Sequence, residues 1–368
     1  LLLTSPLIAA DSQPRETWQR TLDAEILPLI DKKQLMGVVV GTFAPDGKRE
    51  FHCYGKATTN GPPPTPKTAF EIGSISKVFT ALLLADMVSR GELKYEDPVQ
   101  NHLPPELVVP RRGSRQITLI ELATHTSGLP EFPPNLLRSA RQDNAVAQDP
   151  MAKFGMKQLA DGLAEIKLKN VARPKVDYSS LGMGLLGEAL AYTRKTSFAD
   201  LLRTRITTPL GMNDTSVTLA EVPKGKIAVG FDDEMRPVPI WHFTTLQGAG
   251  AVCSTASDLL TFLEAQSGRT DTQLNHAMRM TQEKRQHVFL IMDVGLGWLM
   301  RERNGVTAWW HDGATGGYTC YAAFCRKPAL GLVLLSNTDC YANAGAITRM
   351  GHRLSWHLIE SMTAHPAK

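Results

Sequence analysis

Apolar positions change their period several times along the chain, and each change marks an element. In residues 16–31, Trp18, Leu22, Ile26, Leu29 and Ile30 fall near one face of a helix. The spacing then shortens. Residues 37–43 (Gly-Val-Val-Val-Gly-Thr-Phe) and 50–54 (Glu-Phe-His-Cys-Tyr) read as strands, and Pro45-Asp46-Gly47 between them supplies a turn, so an antiparallel pair is predicted. Residues 74–90 form one strongly apolar helical run through Val78, Phe79, Leu82, Leu83 and Val88, closed by Gly91 and expected to be buried. The middle of the chain, to about residue 284, holds helical pieces at 117–123, 180–192, 198–206 and 256–266, separated by loops rich in Pro and Gly. Beyond it, 306–310, 318–325 and 331–336 again read as strands, and 344–361 as a closing helix.

Strands at both ends with helices between them predict an α/β fold of the α+β kind. An antiparallel sheet flanked by helices is built from both termini, with a mainly helical domain inserted. The expected boundaries are 12–73 with 285–368 for the sheet domain and 74–284 for the helical one. A chain of 368 residues and 40.4 kDa is long enough for two lobes, and a cleft between them is the natural place for a site.

Composition removes several function classes. Hydrophobic residues at 43%, charged residues at 21% and a formal net charge of +4 are ordinary for a soluble protein. There is no long basic run, no P-loop and no GxGxxG after a strand, so no nucleic-acid, ATP or NAD partner is expected. No run reaches the roughly 18 apolar residues of a membrane span. The apolar stretch Leu1 to Ala10, ending in Ala9-Ala10 before Asp11-Ser12-Gln13, has the character of the back half of a signal peptide. A periplasmic or secreted protein is therefore expected, the bland alternative being a frayed terminus. Cys53, Cys253, Cys320, Cys325 and Cys340 form an odd set without a CxxC pair and read as small buried residues. One bridge stays open if the protein is exported, and its partners cannot be chosen. With no HExxH and no tight His/Asp cluster, neither a metal nor another cofactor is expected.

The candidate chemistry lies at the start of the apolar helix, in Ser74-Ile75-Ser76-Lys77. Residues three apart share a helix face. A serine hydroxyl is a poor nucleophile until something accepts its proton, and a partly buried lysine amine can have its pKa lowered enough to do so. The helix N-terminus adds donors where an oxyanion would form. Taken alone, the same four residues also describe a capping serine followed by a surface lysine.

The wider context, Phe70 to Thr80, resembles the serine β-lactamase and penicillin-binding family, for which SxxK is a signature. The resemblance is to the branch of class C β-lactamases, low-molecular-weight D-Ala-D-Ala peptidases and family VIII esterases. It extends through Gly91-Glu92-Leu93, Asp97-Pro98, Ile117 to Leu122, Thr124-His125-Thr126-Ser127-Gly128-Leu129-Pro130 and Pro209-Leu210-Gly211-Met212, and runs from about Gly37 to Asn337. It implies the β-lactamase/transpeptidase-like fold and an acyl-enzyme serine hydrolase acting on a small-molecule or peptide substrate, β-lactams or D-Ala-D-Ala peptides. Tyr178-Ser179-Ser180 resembles the Tyr-x-Asn motif, which implies Tyr178 as the base that activates Ser74 and later protonates the leaving group. Ser180 stands where Asn is usual and offers one hydroxyl in place of a carboxamide. Residues His311 to Tyr318 resemble the third motif. There Gly313 would let substrate lie along an edge strand, the backbone amides of Ser74 and Ala314 would form the oxyanion hole, and His311 would replace a permanent cation by one titrating near neutrality.

Ser180 and His311 keep two other readings open: a carboxylesterase on short acyl esters, and a sensor that is acylated without turnover. His125 beside Ser127 reads as part of a turn. Trp298, Trp309 and Trp310 read as core or pocket wall, and the absence of GxSxG leaves an α/β-hydrolase triad without a nucleophile. A monomer is expected. The loop at 131–150, which would set pocket width, carries no readable signature.

Overall fold

A computed structural model of the chain describes residues 13–143, 148–169, 175–217, 226–289, 292–339 and 345–364. The stretch Leu1 to Ala10 and Cys340 lie outside the described residues. Among them are twelve strands: β1 (Gly37–Phe43), β2 (Arg49–Gly55), β3 (Ala69–Glu71), β4 (Gly230–Phe231), β5 (Pro237–Val238), β6 (Cys253–Thr255), β7 (Gln286–Phe289), β8 (Met292–Val294), β9 (Leu299–Arg303), β10 (Val306–Thr315), β11 (Tyr318–Arg326) and β12 (Ala329–Ser336). Eight of these form one antiparallel sheet in the order β2-β1-β12-β11-β10-β9-β8-β7, so the N-terminal hairpin is joined to the C-terminal strands through β1 and β12. The mixed α/β fold with a large antiparallel sheet is the one expected.

The central strands read as nearly continuous apolar runs because both of their faces are covered. Val38 and Val40 pack with Leu332, Leu334, Tyr321 and Ala323 on one face, beneath the helices Gln13–Asp31 and Ala346–Ala364. Val39, Val333, Leu335, Ala322 and Phe324 face the opposite side and join the main core around the helix Ser76–Ser89. A shift of one residue in register would exchange these two sets, so the alternation fixes the pairing.

The helix Ser76–Ser89 is buried from Ser76 through Met87. The helix Ala256–Ser267, which falls in the helical stretch by sequence, packs on the sheet: Leu260 lies against Gly41, and Glu264 accepts from Arg49 Nε and Nη2 at 3.0 and 2.6 Å. Trp298 is wholly buried and stacks on Phe262, as expected of a core residue. Cys53, Cys253, Cys320 and Cys325 form no disulfide among the described residues, and the last three are buried.

Candidate active site

Strand β3 feeds a 3₁₀ turn, Gly73–Ile75, that runs directly into the helix Ser76–Ser89. Ser74 thus sits one turn before the α-helix rather than in it. Two glycines make this placement possible. Gly73 has φ +50°, and a Cβ there would fall 2.6 Å from Ala314 N. On the facing strand, a Cβ at Gly313 would fall 2.0 Å from Ile72 O and 2.9 Å from Ser74 N. Only paired glycines let β10 and the turn approach so closely, which brings the backbone at Ser74 and at Ala314 to one side of one cavity.

Lys77 is fully buried. Its Nζ donates to Ser74 Oγ at 2.8 Å and to the Ala249 carbonyl at 2.7 Å. The segment carrying Ala249 is itself tied to the helix, since Thr80 Oγ1 donates to Gly248 O and Val252 N donates to Ser76 Oγ. Burial pushes the Lys77 amine down to about 7, opposed by the negative charges of Glu131 and Asp312. The neutral amine, the form able to accept the Ser74 proton, is therefore populated at physiological pH.

Tyr178 lies just before the helix Ser180–Arg194, with its ring centroid 5.0 Å from Lys77 Nζ. Ser179 caps that helix: its Oγ accepts from Gly182 N at 2.9 Å and donates to Pro130 O at 2.7 Å. Ser180, the first helical residue, lines the cavity. His125 holds Asp177, Tyr178 and Ser179 through three contacts. Its carbonyl accepts from Asp177 N at 2.8 Å, its Nδ1 accepts from Ser179 N at 3.1 Å, and its ring packs on Tyr178 at 4.7 Å between centroids. It has φ +57°, and burial pushes its pKa down to about 3, so a neutral ring with Nδ1 as acceptor is the stable form. Within the sequence His125 reads only as a turn residue, because its contact with Tyr178 spans more than fifty positions.

The third motif departs from expectation in two respects. His311 is 1% exposed and is not part of the cavity wall. Burial, with the nearby Lys77, pushes it down to about 4, so it does not titrate near neutrality and is not a surface cation for a substrate carboxylate. Its Nδ1 pairs with the Asp312 carbonyl at 2.5 Å, while Nε2 is buried without a partner among the described residues. Strand β10 is also not an edge strand along its whole length. It pairs with β9 only from Val306 to Trp310, and from His311 to Thr315 it pairs with β11 alone, so the edge at Gly313 is local.

These groups open on a cavity of about 380 Å³ lined by Ser74, Lys77, Tyr178, Ser180, Gly313 and Ala314 on its polar side. Phe132, Leu136, Met151, Trp241 and Phe243 supply apolar walls. Trp241 and Phe243 are not singled out by the sequence, and Glu131 enters there only as the start of the loop 131–150 that would set pocket width. Buried Glu71 holds two walls together, accepting from Trp241 N at 2.9 Å and from Thr315 Oγ1 at 2.8 Å. Burial pushes its carboxyl up to about 8 against the pull of those two donors.

Comparison with known proteins shows the family. The profile of the Beta-lactamase family matches residues 22–351. Penicillin-binding protein 4 of Amycolatopsis lactamdurans is 26% identical over 337 residues, covering 87% of this chain and 84% of that one. The D-alanyl-D-alanine-carboxypeptidase/endopeptidase AmpH of Escherichia coli (strain K12) is 28% identical over 302 residues, covering 77% and 75%. Among solved structures, a class C beta lactamase from Rhodobacter sphaeroides superposes with a TM-score of 0.75 at 26% identity, covering 94% of this chain and 99% of the other.

Proposed function

Because the chain belongs to the Beta-lactamase family and is a serine hydrolase of the class C β-lactamase-like type, we propose that Ser74 is the residue it acylates, with β-lactams or peptides ending in D-Ala-D-Ala as acyl donors. The observation that carries this reading is the 2.8 Å contact between Ser74 Oγ and a buried Lys77 whose pKa lies near 7.

In this reading Ser74 Oγ attacks the substrate carbonyl and its proton passes to the Lys77 amine. Tyr178, whose ring lies beside Nζ, carries a proton onward to the departing nitrogen. The spacing of Ser74 and Lys77 lets the lysine take this first proton, whereas the family resemblance implies Tyr178; the Ser74 contact favours Lys77. The carbonyl oxygen, negative in the tetrahedral intermediate, is received by the amides of Ser74 and Ala314, a role supported by the close approach of β10 to the turn at Gly73 and Gly313. Water then releases the acyl group by the reverse proton route. Ser180 offers its hydroxyl to the substrate, and His125 acts through Tyr178 as a positioning residue.

Initial rates on a chromogenic cephalosporin and on a D-Ala-D-Ala peptide test the substrate assignment, which fails if neither is turned over. No helix among the described residues is long and apolar enough to cross a membrane. We also propose that the protein acts outside the cytoplasm, on the strength of Leu1 to Ala10, with fractionation of expressing cells as the test. The proposed division into 12–73 with 285–368 and 74–284 draws support from the strands β1, β2 and β7 to β12, while the helix Ala256–Ser267 on the sheet and the pairing of β3 with β6 count against its boundaries. Limited proteolysis that cuts elsewhere first would count against it.

A further inference from the structure

Beyond the acyl-transfer machinery, the cavity has a distinctive charge arrangement. Its walls are mostly apolar, and its ionisable members are Lys77, Tyr178, Glu131 and Asp312. Lys77 is buried and engaged with Ser74 and Ala249. The Asp312 carboxylate accepts from Thr348 Oγ1 at 2.7 Å, on the side of the strand that faces the helix Ala346–Ala364. Glu131 is different. It is exposed at the cavity, and no cation bonds its carboxylate among the described residues. No arginine, histidine or second lysine among them lines the cavity either.

The backbone that presents Glu131 is held in place. Its carbonyl accepts from Leu181 N at 2.9 Å, and the preceding Pro130 carbonyl accepts from Ser179 Oγ at 2.7 Å. The carboxylate therefore projects from the segment that also fixes Tyr178 and Ser180, close enough for its charge to act on Lys77. An anion beside a largely apolar cavity attracts a cationic group toward it.

We propose that Glu131 is a specificity determinant that selects substrates bearing a primary ammonium group. The inference rests on the acyl-enzyme reading above. An exposed ammonium–carboxylate pair changes affinity by up to about fivefold, and the preference shrinks as salt screens the charges.

The test uses a matched pair of peptides, Nα-acetyl-L-Lys-D-Ala-D-Ala and its Nα,Nε-diacetyl counterpart, which differ in one ammonium group. Each is measured as a competitor of chromogenic cephalosporin acylation by the wild type, Glu131→Gln and Glu131→Lys, with thermal melting to confirm folding. The expected result is tighter competition by the ammonium peptide in the wild type, a ratio near one in E131Q, and reversal in E131K. A ratio near one in the wild type, a preference that survives in E131Q, or no competition by either peptide overturns the proposal. Turnover of the cephalosporin in the same assay reports on the acyl-enzyme reading separately.

Discussion

Replacing Gly313 by Ala tests the contact that assembles the site. The added Cβ would fall 2.0 Å from Ile72 O and 2.9 Å from Ser74 N, whereas real Cβ contacts essentially never fall below 3.0 Å. Strand β10 and the turn Gly73–Ile75 must therefore move apart by about 1 Å, a displacement of the size that costs ~10²-fold in rate when catalytic groups are misplaced. The same movement separates the Ser74 and Ala314 amides, and loss of one oxyanion donor costs about 10²–10³-fold. Strain at a closely packed contact adds a stability loss of about 1–3 kcal/mol. Neither neighbour is the free end of a flexible side chain, so relaxation has to come from the backbone. Stopped-flow acylation by a chromogenic cephalosporin, alongside urea unfolding, separates the two effects: the folded variant should acylate at least about a hundred times more slowly than wild type. Acylation at the wild-type rate by G313A would refute the claim that this contact sets the oxyanion site.

Two further outcomes follow from buried titrating groups. Lys77 accepts the Ser74 proton only as a neutral amine, and its pKa is lowered to about 7. Acylation rates should therefore rise with pH through about 7 and level off above it, while His311, held near 4, adds no inflection between about pH 5 and 8; a pH series of single-turnover rates reads both. Glu71 is raised to about 8, so between its unfolded value of about 4.3 and its folded value the native state keeps a proton that the unfolded chain releases. Stability should fall as pH rises through that window. Glu71→Gln should remove the fall, which urea midpoints at pH 5 and pH 8 would show as a difference from wild type that grows with pH.

Much of the architecture was legible because two-sided burial leaves long apolar runs: residues 37–43 were predicted as a strand and are one. The outer strands were not. β9 reads Leu-Met-Arg-Glu-Arg, and a short, largely solvent-facing strand has no apolar pattern to announce it. Periodicity ends this strand at Trp310 because His311, Asp312 and Gly313 are poor strand formers, and only the family resemblance puts Gly313 on a strand; there they are held by pairing with β11 and by the approach of Ile72 and Ser74. Ser74 and Lys77 were visible as neighbours on one turn. Lys77 is tuned by burial and bonded to Ala249, 172 positions away, and the grip of His125 on Tyr178 spans more than fifty positions. Local spacing could name the reacting groups, but not the packing that sets their pKa values; His311 illustrates this, since its exposure was assumed and its burial decides its charge.

The most direct test of the central claim is the intact mass of the protein quenched in acid during reaction with a β-lactam, followed by peptide mapping. The account predicts a gain equal to the whole β-lactam in the wild type, located on the peptide containing Ser74, and no gain in Ser74→Ala. An adduct on another residue, an adduct that persists in S74A, or turnover by S74A would contradict it.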